Sequence, residues 1–227
     1  PELYEKNGFQ RLWTNPQNVE DLFNAIKTID ADGLHPEDYH FTEIEKMSAQ
    51  IDPNASSDPG LLADYDLLLT DSFIRLGYHL IFGKVDPEDH HPHWNLAVEI
   101  DDQKPAVAIQ EILNAGNLAE EIEALRPQNI IYSNFKSALK KYRTIKTAGG
   151  WEPLPDGPTL KKGIQDNRIL HLRKRLKATG DLEPDASDVE TFDGLLEQAV
   201  IRFQNRHHLA ADGAVGKQTL AALNVPV

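Results

Sequence analysis

Apolar residues recur at three- and four-residue intervals along most of the chain, and two-residue alternation is sustained nowhere. The pattern therefore predicts an all-α protein. Asn15-Pro16 supplies a capping side chain ahead of a proline, and Val19, Leu22, Phe23, Ile26 and Ile29 then follow at helical spacing, with a stop expected near Asp32-Gly33. A second helix is expected from His35-Pro36, with Tyr39, Ile44 and Met47 facing inward and an end at Asp52-Pro53-Asn54, so that the two form a hairpin. The longest periodic segment follows Asp58-Pro59. It carries Leu61, Leu62, Tyr65, Leu68, Leu69, Phe73, Leu76 and Leu80 on one broad stripe and reads as the central helix. Residues 83–94 form a loop rich in Pro and His, and further helices are expected over residues 105–115, 118–125 and 130–147.

A run of backbone breakers, Gly149-Gly150-Trp151-Glu152-Pro153-Leu154-Pro155-Asp156-Gly157-Pro158, marks a change of organisation. It divides the chain into a helical scaffold domain at residues 1–148, a Gly/Pro-rich extended linker at 149–165 and a small domain at 166–227. In the last, Ile169, Leu172 and Leu176 define one amphipathic helix. Leu195, Leu196, Ala199, Val200 and Phe203 define a second, and Thr219 to Leu223 a short third.

Composition narrows the chemistry. The net charge of -13 argues against nucleic acid as a partner, because phosphate neutralisation needs clustered Lys and Arg. The acidity is uneven: residues 166–227 hold 8 Lys and Arg against 9 Asp and Glu, leaving 15 against 27 in residues 1–165. With no cysteine, disulfides, thiolate metal sites and a thiol nucleophile are excluded from these residues. The most apolar stretch, residues 61–82, is interrupted by Asp64, Asp66, Asp71 and Arg75, so no transmembrane helix is expected. The first residues are Pro1-Glu2-Leu3, with neither an initiator Met nor a basic-then-apolar leader, so any targeting signal is expected outside this stretch.

The small domain contains the most informative string, Ala199-Val200-Ile201-Arg202-Phe203-Gln204, then His207, Leu209, Asp212-Gly213, Val215-Gly216, Thr219-Leu220 and Ala222-Leu223-Asn224. Ala199, Val200 and Phe203 share a helix face that can be buried. Asp212-Gly213 suits a tight turn with Asp bonding nearby amides and Gly at positive φ. Gly216 is expected to permit close backbone approach before the last helix, and Thr219 to bond back to the turn. Asp193-Gly194 echoes Asp212-Gly213 ahead of another amphipathic helix, which suggests two related helix-start turns.

This string resembles the peptidoglycan-binding module common to bacterial wall hydrolases and transpeptidases, over roughly residues 166–224. That family has Gly after the His as the left-handed residue closing the helix; here the position is His208, whose cost should be modest. Further residues resemble large L,D-transpeptidases, the murein transpeptidases. Gly149-Gly150-Trp151, Leu154-Pro155, Gly157-Pro158, Leu160, Gly163, Arg168, Leu172-Arg173, Arg175-Leu176 and Gly180-Asp181-Leu182 are similar to the junction before their binding module. Asp32-Gly33-Leu34, Pro36, Asp38-Tyr39, Gly83-Lys84-Val85, Pro87 and Trp94 are similar to their helical scaffold domain. In that family a catalytic domain with a His and a nucleophilic Cys follows a Leu-Asn-Val-Pro junction. This sequence stops at Leu223-Asn224-Val225-Pro226-Val227. The resemblance implies a noncatalytic, periplasmic or cell-envelope fragment that presents wall substrate to a cysteine domain of the same polypeptide.

On that reading the partner is peptidoglycan, through its glycan strand or stem peptide, and no cofactor or metal is expected. Wall contacts should fall on polar residues at helix ends, and Gln204, Arg206, His207 and Thr219 are the candidates, against the alternative that such residues are caps or solvated. Asp86-Pro87-Glu88-Asp89-His90-His91-Pro92-His93-Trp94 offers donors for zinc in a metal-dependent wall hydrolase, although a Pro-broken loop supplies no converging geometry. Glu120, Glu121 and Glu123 could pair for acid-base work but fit a solvated helix face better. A third class is a scaffold whose small domain docks another protein.

Overall fold

The computed structural model describes residues 2–51, 58–85 and 105–227. Among these residues it is helical, with two isolated bridges, Leu160 with Val215 and Gln165 with Thr191, and no strand. Two compact units divide the chain, Pro1–Leu139 and Lys140–Val227. No helix of the described residues is long and apolar enough to cross a membrane.

The first unit contains α1 (Glu2–Lys6), α2 (Pro16–Lys27), α3 (Phe41–Ser48), α4 (Pro59–Phe82), α5 (Pro105–Ala115), α6 (Leu118–Ala124) and the start of α7 (Ile130–Thr147), with 3₁₀ turns at Ile29–Asp32 and Pro36–Tyr39. Asn15 accepts from the Gln17 amide at 3.0 Å and Pro16 opens α2, as the sequence predicts. Asp58 likewise accepts from Gly60 at 3.1 Å at the start of α4. Leu69, Phe73, Leu76 and Leu80 of α4 pack with Leu22 and Ile26 of α2, Ile44 of α3, and Leu118 and Ile122 of α6. The expected inward stripe is present, with Leu61, Leu62, Tyr65 and Leu68 at its half-buried margin.

The helix expected from His35-Pro36 is instead two pieces. His40 takes φ 58°, ending the 3₁₀ turn before α3 begins. Tyr39 and Ile44 are five residues apart, about 140° around an uninterrupted helix, so one straight helix could not point both into one narrow core. The left-handed residue lets both reach zero exposure, while Met47 stays half-buried. Three bonds hold the turn on α4: Ser72 Oγ donates to the Tyr39 carbonyl at 3.0 Å, Tyr39 Oη meets His79 Nδ1 at 2.9 Å, and His40 Nε2 meets Asp71 at 2.7 Å.

Asp66, an apparent interruption in the apolar run, is a buried anchor. Its carboxylate accepts from the Leu12 amide at 2.7 Å and the Trp13 amide at 3.0 Å. One turn on, Thr70 Oγ1 accepts from the Trp13 indole at 2.9 Å. Similarly, Asp32 sits where Arg126, Tyr132 and Lys136 converge, at 2.9, 2.7 and 2.5 Å. Burial opposes its charge, but those donors outweigh it and hold the carboxyl below its ordinary range.

The second unit comprises the remainder of α7, α8 (Arg168–Thr179), α9 (Gly194–Arg206) and α10 (Lys217–Leu223). Its core joins Ile169, Leu172 and Leu176 to Leu196, Ala199, Val200 and Phe203, closed by Leu223. Leu195, expected on the inner face, is 68% exposed; α9 buries a stripe that begins one residue later. Residues 149–165, expected as an extended linker, lack helix, yet Leu154 and Leu160 are buried in this core. The segment is thus part of the unit, because two of its leucines are buried there.

Candidate functional site

The left-handed residue expected after α9 is His208, at φ 54°. Next to it, Gln204 is buried at 1% exposure and organises the following turn. Its Nε2 donates to Asp212 at 2.9 Å, to the Ala214 carbonyl at 2.9 Å and to Thr219 Oγ1 at 3.1 Å, while Oε1 accepts from the Gly213 amide at 2.9 Å. Asp212 also accepts from the Ala214 amide at 2.9 Å, and Gly213 takes φ 74°. Thr219 bonds back to the Ala214 carbonyl at 3.3 Å, as the sequence suggested. Gln204 and Thr219 therefore meet inside the domain with their polar atoms engaged by the turn.

Arg206 and His207 lie at the same end of α9. The Arg206 guanidinium pairs with Asp181 at 2.6 Å and donates to Tyr142 at 3.1 Å. His207 stacks on Phe203 with centroids 4.1 Å apart. Burial, followed by the cations Arg206 and Arg175, pushes its imidazole below the ordinary value, which favours the neutral ring at pH 7. Two turn expectations differ. A β-carbon added at Gly216 would meet no atom within 4 Å, so close approach does not explain this glycine. Asp193 caps α9 directly, accepting from Leu196 at 2.8 Å, whereas Asp212 stands five residues before α10, so the two Asp-Gly pairs build different turns.

Three arginines of α8 are buried, which its charge-rich sequence conceals. Arg173, at 1% exposure, donates to the carbonyls of Val189 and Thr191 and pairs with Asp193 at 2.6 Å. Arg175 donates to the Leu223 carbonyl at 2.9 Å beneath the Trp151 ring. Arg168 clamps Asp166 at 2.7 Å and the Pro158 carbonyl at 3.0 Å. These are the residues sequence reasoning missed as organisers; their acceptors are largely backbone carbonyls, which carry no side-chain signature.

Arg168 also lines a groove of about 550 Å³. One wall is the segment through Asp156, Gly157 and Thr159, the other is α10 through Lys217, Leu220 and Ala221. Asn224 pins the walls together, accepting from the Leu154 amide at 2.7 Å and donating to its carbonyl at 2.9 Å. A β-carbon at Gly157 would collide with the Arg168 guanidinium, so glycine is what lets the cation lie against this wall.

In the first unit, Glu120 and Glu123 are exposed, Glu123 pairs with Arg126 at 2.6 Å, and Glu121 accepts from Asn117 at 3.3 Å. No cluster of three potential metal-ligating side chains occurs among the described residues. The His90, His91 and His93 loop with Trp94, and the expected stop at Asp52-Pro53-Asn54, lie outside those residues.

The family described as "Scaffold domain" matches residues 1–139. The chain belongs to the scaffold-domain family. Following its scaffold domain, residues 165–223 match the family described as "Putative peptidoglycan binding domain", which covers the α8–α10 bundle. The scaffold-domain chain thus carries a small domain similar to those that bind peptidoglycan, and both matches are to domains described by structure or binding. No curated protein matches it.

Proposed function

We propose that this chain is the noncatalytic, wall-binding part of a periplasmic L,D-transpeptidase-like protein. Residues 166–227 bind peptidoglycan, 1–148 serve as the scaffold, and 149–165, packed into the core of the second unit, connect the two. The cysteine chemistry, attack of a thiolate on a tetrapeptide stem and transfer of the acyl group to an amine, belongs to a catalytic domain of the same polypeptide. The carrying observation is the match of residues 165–223 to a peptidoglycan-binding family over a bundle with its own core.

Within the α9 end, Arg206 and His207 are the proposed wall contacts, with Gln204 and Thr219 acting behind them by shaping the turn. Sedimentation with insoluble peptidoglycan tests the reading. The full chain should be retained saturably, and a chain truncated after Ala148 should remain in the supernatant. Equal retention of both would sink the assignment.

A further inference from the structure

Resting on the wall-binding reading, we propose that the groove between α10 and residues 156–159 is a subsite for the stem peptide of peptidoglycan, a short extended peptide bearing free carboxylates. Its volume of about 550 Å³ suits a small ligand, and it runs beside α10 from Lys217 to Asn224. Seven helical steps span about 10 Å, the length of about three extended residues.

The lining selects for peptide over neutral sugar. Arg168 is buried, with its side chain 10% exposed. Nε and Nη2 are fixed by Asp166 and the Pro158 carbonyl, while Nη1 enters none of the described hydrogen bonds and lies against Gly157. A donor held this rigidly loses little freedom on meeting a ligand oxygen. Lys217, exposed, adds a mobile ammonium at one end of the groove, and Asp156, exposed, adds an anion on the opposite wall. The amides of Asp156, Gly157 and Thr159 enter no backbone hydrogen bond among the described residues, so an extended ligand can pair with this backbone. Leu220 and Val215 supply apolar contact for small side chains such as alanine. A peptide with carboxylates, one ammonium and alanyl methyls matches each of these features.

The test uses the full chain, the tetrapeptide N-acetyl-L-alanyl-γ-D-glutamyl-meso-diaminopimelyl-D-alanine, and peptide-free glycan chains, with affinity from calorimetry and contact residues from amide shifts. The tetrapeptide should bind, shifting Thr159, Lys217 and Ala221. Lys217→Glu should weaken it by at least about fivefold, since a charge-assisted contact is reversed. Ala221→Trp, on an exposed helix position, should block the groove without unfolding the bundle, which an unchanged melting curve verifies. Binding of glycan alone, or tetrapeptide binding untouched by both variants, overturns the groove assignment. If insoluble peptidoglycan still retains the full chain in that case, the wall-binding reading stands; if it does not, both fall.

Discussion

Arg175 lies over the indole of Trp151, its guanidinium carbon 3.6 Å from the ring centroid, while its Nε donates to the Leu223 carbonyl at 2.9 Å. Burial, aided by the nearby Arg206 cation, pushes this guanidinium down to about 10, so it is still charged at neutral pH. The contact joins the segment at residue 151 to α8 and to the end of α10. Trp151→Ala should destabilise the second unit by about 1–3 kcal/mol, from lost cation-π and packing contacts. Arg175→Met should cost a similar amount, because the Leu223 carbonyl loses its donor. Denaturant titration of each variant checks both values.

Gln204 can be separated from wall contact by its neighbours. Gln204→Ala leaves the Gly213 amide without its acceptor and the Ala214 carbonyl with Thr219 alone, and should cost about 1–3 kcal/mol. His207→Ala should lower retention on peptidoglycan with a smaller loss of stability, since the residue is exposed and its ring stacks on one face only. Melting curves alongside sedimentation distinguish the two roles.

His208 adopts a left-handed backbone where glycine carries no side-chain penalty. His208→Gly should therefore stabilise the second unit by about 0.5–1 kcal/mol. Gly213→Ala should do the reverse, by about 1–3 kcal/mol, because φ is 74° and the new carbon would come within 3.0 Å of Glu197 Cγ. Paired denaturation curves give both signs in one experiment.

The pH dependence of the first unit should follow Asp32. Its carboxyl is held below the ordinary value in the folded state, so its contribution is complete above about pH 3.9, the unfolded value, and is lost as pH falls through the lower folded value. Asp32→Asn should be destabilised at neutral pH by about 1–3 kcal/mol, since Arg126 keeps Glu123 and Lys136 is a third exposed, and its acid transition should be shallower. Melting temperatures between about pH 7 and 2.5 test the slope. His207 has the same sign at a higher window: its depressed value means the second unit loses stability as pH drops below about 6.5.

Local signals were readable where local physics decides them. Asn15 and Asp58 mark helix starts, the α4 stripe marks a core face, and Asp212-Gly213 marks a turn. Long-range satisfaction was not. Asp66 looks like an interruption until the amides of Leu12 and Trp13, more than fifty positions away, are seen to need an acceptor. Arg173 and Arg175 look like solvent-facing charges because their partners are mainly carbonyls of distant segments. The groove was hidden for a related reason: one wall is a Gly/Pro segment whose composition suggests a free tether, and only the burial of Leu154 and Leu160 makes it a wall. Of the four expected contact residues, Gln204 and Thr219 are buried while Arg206 and His207 are exposed, a difference of depth that residue type and spacing do not carry.

The two-point pairing of Asn224 with Leu154 brings positions seventy apart side by side. The two ends of the α8–α10 bundle consequently lie at one spot. The same closeness makes it a candidate for circular permutation: a short bridge near Asn224 and Leu154, with a new opening at an exposed turn, should preserve the helices and their core.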